Sequence, residues 1–333
     1  MVGKKKNLLL CSILCAVTLL GAGCTTSKPS STSKSNVKNI GITQIIEHPA
    51  LDASKNGFIK ALSDKGFKDG ENLAIEFSSA QGDTATTQTI AQNFVSQKKD
   101  LIFAISTPSA QAAFNTTKEI PILITAVTDP VKAGLAKSLE KSETNVTGTS
   151  DFFDIKNQFD LIKELLPQAK RVGFIYNTSE ANSEKQLEEA KKAASSFSFE
   201  IVPMGITSSN EVASALDALL SKIDVLYTPT DNLVASSMSL IVQKSTEKKI
   251  AVIGGEKAHV ENGALATRGI DYYKLGYETG LMAVDVLNGK KPSDMPIEHL
   301  KDLEVAVNEK TSKALGISIP SKLKENAVII GGN

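Results

Sequence analysis

From position 37 onward the chain alternates short apolar runs with stretches of helical spacing. Strands are predicted at 40–42, 73–77, 101–105, 120–124, 172–176, 201–202, 223–227, 251–253 and 304–308. Helices are predicted between them at 52–65, 86–97, 109–118, 154–166, 183–197, 211–220, 233–248 and 273–288. In the first helix Phe58, Ile59 and Leu62 share a face, and Gly66 is placed to end it. In the helix at 183–197, Leu187, Ala190, Ala194 and Phe197 recur at helical spacing, and Ser183 with Gln186 fits a capping box. The run ending at Ile124 is continuously apolar, as expected of a parallel strand covered on both faces.

Strands alternating with helices of this length imply parallel sheets joined by right-handed crossovers. Two such series predict an α/β protein with two doubly wound parallel-sheet lobes. Four of the runs open into polar segments: Ser106-Thr107-Pro108-Ser109, Thr125 to Pro130, Asn177-Thr178-Ser179, and Thr228 to Asn232. In open α/β sheets ligands bind beyond the carboxyl ends of the strands. One pair of polar segments in each half therefore predicts a ligand held between two lobes.

Composition narrows the choice of function. The 37 basic and 37 acidic side chains cancel, which gives no support for a nucleic-acid binder. The three Cys residues stand at 11, 15 and 24, so the folded body has no disulfide, thiolate metal site or Cys nucleophile. No dinucleotide or Walker-type glycine loop follows a strand, and no Gly-x-Ser-x-Gly elbow is present. His occurs only at 48, 259 and 299, never as a pair at metal spacing. No enzyme activity, cofactor or metal is expected.

The N-terminus carries its own signal. Lys4 to Lys6 form a basic region, residues 7–20 are apolar, and Gly21-Ala22-Gly23 precede Cys24. Residues 1–23 are expected to be a lipoprotein signal peptide, with Cys24 lipidated, although Gly21 replaces the branched aliphatic usual there. Residues 24–36 are rich in Ser, Thr and Lys and are expected to be a disordered tether spanning about 20 Å.

Several ordered blocks now suggest a family. They are Thr128-Asp129-Pro130-Val131-Lys132-Ala133-Gly134-Leu135, Asn145-Val146-Thr147-Gly148-Thr149-Ser150, residues 41–52, Pro229-Thr230-Asp231-Asn232, and residues 269–276. Across roughly 37–320 the chain resembles the substrate-binding lipoproteins of ABC importers, in the branch associated with tryptophan and tyrosine uptake. The resemblance implies a type I periplasmic-binding-protein fold, with three crossover strands near 147–151, 269–272 and 296–304. Lobe 1 would then comprise 37–149 plus 273–296, and lobe 2 would comprise 150–272 plus 297–333. It also implies a monomer that meets an ABC permease at the outer face of the membrane.

The chemistry of an amino acid selects candidate contacts. Its carboxylate calls for hydroxyls and N–H groups at a helix N-terminus, which points to Thr107 and Ser109. Its ammonium calls for a carboxylate once water is excluded, which points to Asp231 and Asp271, with Asn232 as a neutral partner. Gln44, His48 and Asn177 stand where the lobes would meet the ligand, and Ala126 and Val127 are placed to line a side-chain pocket. Glu47, Asp129, Glu256 and the rings of Phe152, Phe153, Tyr272 and Tyr273 are weaker candidates. A competing expectation is a surface adhesin, alone or in addition to ligand binding.

Overall fold

The computed structural model describes residues 37–332. The expected signal peptide, tether and lipidated Cys24 lie outside the described residues. The chain begins with β1 (Lys38–Gln44), α1 (Pro49–Asp64), β2 (Leu73–Ser79), α2 (Thr84–Ser96), β3 (Leu101–Ile105), α3 (Thr107–Thr116), β4 (Ile122–Thr125) and β5 (Val146–Ser150). A second series follows: α4 (Lys156–Leu165), β6 (Arg171–Asn177), α5 (Ala181–Ala194), β7 (Glu200–Ile206), α6 (Val212–Leu219), β8 (Val225–Thr228), α7 (Asn232–Ser236), α8 (Met238–Glu247), β9 (Ala251–Gly254), α9 (Lys257–Glu261) and β10 (Ala266–Gly269). The last part holds α10 (Tyr272–Leu287), β11 (Ile297–His299), β12 (Glu304–Asn308), α11 (Glu309–Leu315), α12 (Ser321–Lys324) and β13 (Ala327–Ile330).

These strands form two sheets. The first runs β11-β5-β4-β3-β1-β2 and the second β13-β12-β10-β9-β8-β6-β7. Every neighbouring pair in the first sheet is parallel. The second sheet is parallel except where β12 lies antiparallel to β10. That exception follows from the crossings: β12 enters the second lobe at the end where β10 leaves it. The backbone passes between the lobes after β5, after β10 and after β11, and β11 pairs with β5 in the first sheet.

One apolar cluster fills the first lobe, where Phe58 and Phe103 stack at 3.8 Å between ring centroids. The second lobe has a separate cluster on each face of its sheet. The helix that follows the second crossing belongs to the first lobe: α10 packs along α1. That approach needs glycine. A Cβ at Gly276 would stand 1.9 Å from the Ser54 carbonyl oxygen, and one at Gly57 would stand 2.1 Å from that of Tyr273. The clamp fixes the ends of both helices, and those ends carry His48 and Tyr272 to the cleft.

Two local readings change. The helix predicted at 233–248 is broken at Ser237, whose hydroxyl donates to the Leu233 carbonyl while its backbone leaves helical geometry. The capping box predicted from Ser183 and Gln186 does not form. Helix α5 begins at Ala181, and both side chains reach instead to the loop after β8. A tertiary partner has displaced a local one.

Candidate functional site

The first lobe presents neutral groups on strained backbone. Ser106 follows β3 at φ 85°, ψ 156°, a region open to glycine but costing other residues about 1–3 kcal/mol. Ala126 follows β4 at φ 55°. Both therefore store strain at strand ends facing the other lobe. Thr107 opens α3 with a buried hydroxyl that has no partner. Gln44 ends β1, and its amide nitrogen donates to the Ile46 carbonyl and to Asp52, leaving its buried Oε1 without a partner. His48 precedes α1 and is buried with both ring nitrogens unpartnered. Burial holds its pKa below the usual histidine range, and the nearby Glu256 charge only partly offsets this.

The second lobe presents buried carboxylates. Asp231 accepts from Asn177 N at 2.6 Å, Ser183 Oγ at 2.6 Å and Val234 N at 2.9 Å, so it ties β6, α5 and α7 together. Glu180 accepts from the side-chain amides of Asn177, Asn182 and Asn232. Burial, and then the charge of Asp231, pushes the Glu180 carboxyl up. Glu256 stands 3.2 Å from His259 Nε2 and 4.0 Å from His48 Nδ1 across the cleft, yet neither approach is aligned as a hydrogen bond. Burial pushes its carboxyl up, but the two histidines and Tyr272 outweigh this and hold it below the usual range.

Asp151 lies at the first crossing, directly after β5. It is buried, and Tyr272 donates its hydroxyl to Oδ2 at 2.6 Å, while Oδ1 has no partner. Burial raises its pKa to about 6 despite that hydrogen bond. These groups surround a small void lined by His48, Leu51, Ala126, Asp151, Asn182, Thr230, Asp231, Asn232, Glu256 and Tyr272. A second small void shares Asp151 and Thr230 with it; Phe152, Phe153, Ile155 and Tyr227 give it apolar walls, and Lys185, Gln186 and Glu189 close its side. A polar chamber thus stands beside a largely apolar one.

The family model described as ABC transporter substrate binding protein matches residues 39–329. The chain belongs to the ABC transporter substrate-binding protein family. A tyrosine-binding protein from Clostridioides difficile is 52% identical over 324 residues, which is 95% of this chain and 93% of that one. Two solved structures show what the geometry means. One, from Streptococcus pneumoniae, is in complex with L-Trp; it is 36% identical, covers 88% of this chain and 99% of its own, and has a TM-score of 0.85. The other is the ligand-free, open structure of a substrate binding protein with adhesive properties from Clostridium difficile. That structure is 57% identical and covers 89% of this chain and 100% of its own, yet its TM-score is only 0.69.

Shape here follows state rather than ancestry. The more similar sequence is the less similar structure, and that structure is the open one. This binding protein is closed, and side chains bridge its lobes. Lys132 Nζ is 2.8 Å from Glu188, and Lys185 Nζ is 3.5 Å from Asp129. As a family member it is an extracytoplasmic solute-binding protein that works with an ABC transporter. No helix among the described residues is long and apolar enough to cross a membrane. No cluster of metal-ligating side chains occurs among them either.

Of the candidates chosen from sequence, His48, Ala126, Asp231 and Asn232 line the polar void. Asp231, however, spends both oxygens on its own lobe. Gln44, Thr107 and Ser109 are buried and line neither void. Asn177 lines a wider groove at the side of the cleft. Val127 is fully buried in the first-lobe core. Asp271 does not line either void: its Oδ1 accepts from Lys274 N as the cap of α10, and Lys274 Nζ is 3.7 Å from Oδ2. Asp129 caps a turn through Lys132 N, Glu47 meets Gln81 outside the void, and Tyr273 is exposed. Asp151, Asn182 and Thr230 were missed. Their only sequence signal was position, at a crossing, just after a strand end or in the first turn of a helix.

Proposed function

We propose that this binding protein captures a free aromatic amino acid, tyrosine foremost, and delivers it unchanged to an ABC permease. It works as a monomer, held at the outer face of the bacterial cell membrane by a lipid on Cys24. The observation that carries the reading is the closed pair of chambers. The polar one holds buried acceptors with no partner, Asp151 Oδ1, Glu256 Oε1 and Asn182 Oδ1, beside the unpartnered nitrogens of His48. The adjoining one is lined by Phe152, Phe153 and Ile155. Buried polar atoms without partners are costly, and an α-ammonium and α-carboxylate satisfy both kinds. The ring then fills the second chamber. The names of the two relatives, a tyrosine-binding protein and a domain in complex with L-Trp, agree with this ligand class.

Residues of the first lobe receive the ligand first, and hinge closure brings Asn182, Thr230 and Glu256 onto it. Closure is driven only by tighter binding to the closed state. The test is thermal unfolding of the chain from residue 37 against the twenty amino acids, several sugars and nucleosides. A ligand at 100 times its dissociation constant adds about 2.7 kcal/mol. A shift confined to tyrosine, tryptophan or phenylalanine is expected; a shift with a sugar and with no amino acid would sink the reading.

A second role as a surface adhesin is supported by the adhesive properties named for the 57% identical open structure. Such contact uses outer faces. It would persist in cells whose protein carries Asp151→Asn, whereas loss of adhesion together with ligand binding would count against a separate surface role.

A further inference from the structure

We propose that the Tyr227 hydroxyl reads the distal oxygen of the ligand ring, and so separates tyrosine from phenylalanine. This rests on the aromatic amino acid reading above. Tyr227 lies on β8, one residue before the strand ends at the cleft. Its ring is anchored in the second-lobe core against Phe174, with centroids 5.5 Å apart. It is fully buried, lines the apolar chamber, and its hydroxyl oxygen has no hydrogen-bond partner.

A buried tyrosine hydroxyl ordinarily finds a partner, so this one calls for an explanation. A second tyrosine at the cleft gives the contrast: Tyr272 is also buried, but its hydroxyl donates to Asp151 at 2.6 Å. Packing does not explain the orphan, because phenylalanine would fill the same space in the core. The chamber in front of Tyr227 joins the polar one at Asp151 and Thr230. An amino acid whose charged end occupies the polar chamber sends its ring along this connection. A para hydroxyl on that ring supplies the missing partner, as donor or acceptor. Phenylalanine fills the same chamber and leaves the Tyr227 hydroxyl without a partner. Sites built to hydrogen-bond a ligand hydroxyl discriminate strongly against the analogue lacking it.

Calorimetric titration of wild type and Tyr227→Phe with L-tyrosine and L-phenylalanine tests this. Wild type should prefer tyrosine by at least about tenfold, and the substitution should erase about tenfold of that preference by weakening tyrosine alone. The ligand-free unfolding midpoint of Tyr227→Phe should be unchanged or higher, since a desolvated hydroxyl has been removed. A preference kept by the variant, or equal weakening of both ligands, overturns the proposal. So does a wild type that binds the two amino acids equally, whatever the variant does. A wild type that binds neither fails in a different way: the aromatic amino acid reading falls, and this contact with it.

Discussion

The two walls of the cleft are built on opposite principles. The first lobe offers neutral hydroxyls, an amide and an imidazole, on backbone strained at Ser106 and Ala126. The second lobe offers three buried carboxylates: Glu180 held by side-chain amides, Asp231 held by a hydroxyl and backbone N–H groups, and Glu256 beside His259 with Oε1 unpartnered. On the proposed function, a zwitterion between such walls would turn its ammonium toward Glu256 and Asp151. The difference also separates acids that bind from acids that build. An acid with every oxygen engaged within its own lobe is structural. An acid with an idle oxygen at the lobe boundary is available to the ligand.

That distinction is broken most forcefully at Asp231. Asp231→Ala leaves three donors from β6, α5 and α7 without an acceptor. A loss of about 3 kcal/mol or more in stability is expected in denaturant unfolding. Asp271→Ala removes only a helix cap and should cost about 1 kcal/mol, with tyrosine affinity unchanged. If Asp271→Ala abolished binding while Asp231→Ala unfolded normally, the assignment of roles would be reversed.

Asp151 tests the other half of the contrast. Its Oδ1 is idle and its pKa is raised to about 6 by burial. A raised acid pKa means that the closed, ligand-free form favours the protonated carboxyl. That contribution to closure is fully present below about pH 4 and is lost as pH rises through about 6. Asp151→Asn should therefore increase ligand-free closure at pH 7.5, seen as a smaller radius of gyration in solution scattering. The same change should weaken tyrosine binding about 10–100-fold, because the ammonium loses its charged partner. His48 works with the opposite sign. Its lowered pKa favours closure when neutral, so falling pH opposes closure below its ordinary value. Comparing Asp151→Asn with His48→Gln across pH 5–8 separates the two trends. Affinity and closure rising together in Asp151→Asn would exclude it as the ammonium partner.

The limits of the sequence are visible in these same residues. The apolar runs marked the strands and their ends because two-sided burial leaves a continuous pattern that needs no partner to be seen. That was enough for two sheets and for His48, Ala126 and Asn232 at the cleft. Asp151 was named only as the end of a crossing, because its burial comes from groups distant in sequence, such as Tyr272, and not from its neighbours. Ser106 and Ala126 carry no mark of positive φ, since neither is glycine. Ser183 and Gln186 matched a capping pattern that tertiary contacts with Asp231 and Thr230 then displaced. Asp231 and Asp271 read alike, each an acid at a helix start; only the structure shows that one is a hub and the other a cap.

The smallest expected effect lies at the rim, where the two walls meet through lysines. Lys132 and Lys185 lie on opposite lobes and pair with Glu188 and Asp129 across the cleft. Lys132, and then Lys192, holds the Glu188 carboxyl down to about 2. The Lys132–Glu188 pair is exposed and the Lys185–Asp129 pair half-buried, and salt screens exposed pairs over about 10 Å at 0.1 M. They join the two lobes, and Lys132 and Glu188 line neither void, so their pair should bias the closed state without touching the ligand. Replacing Lys132 by Ala should weaken tyrosine binding about two- to threefold at low salt and hardly at all at 0.5 M, chiefly through faster release. An equal loss at both salt concentrations would mean that the lysine acts on the ligand site itself and not on closure. The wall contrast would then extend to the rim, with the first lobe supplying a cation as well as neutral donors.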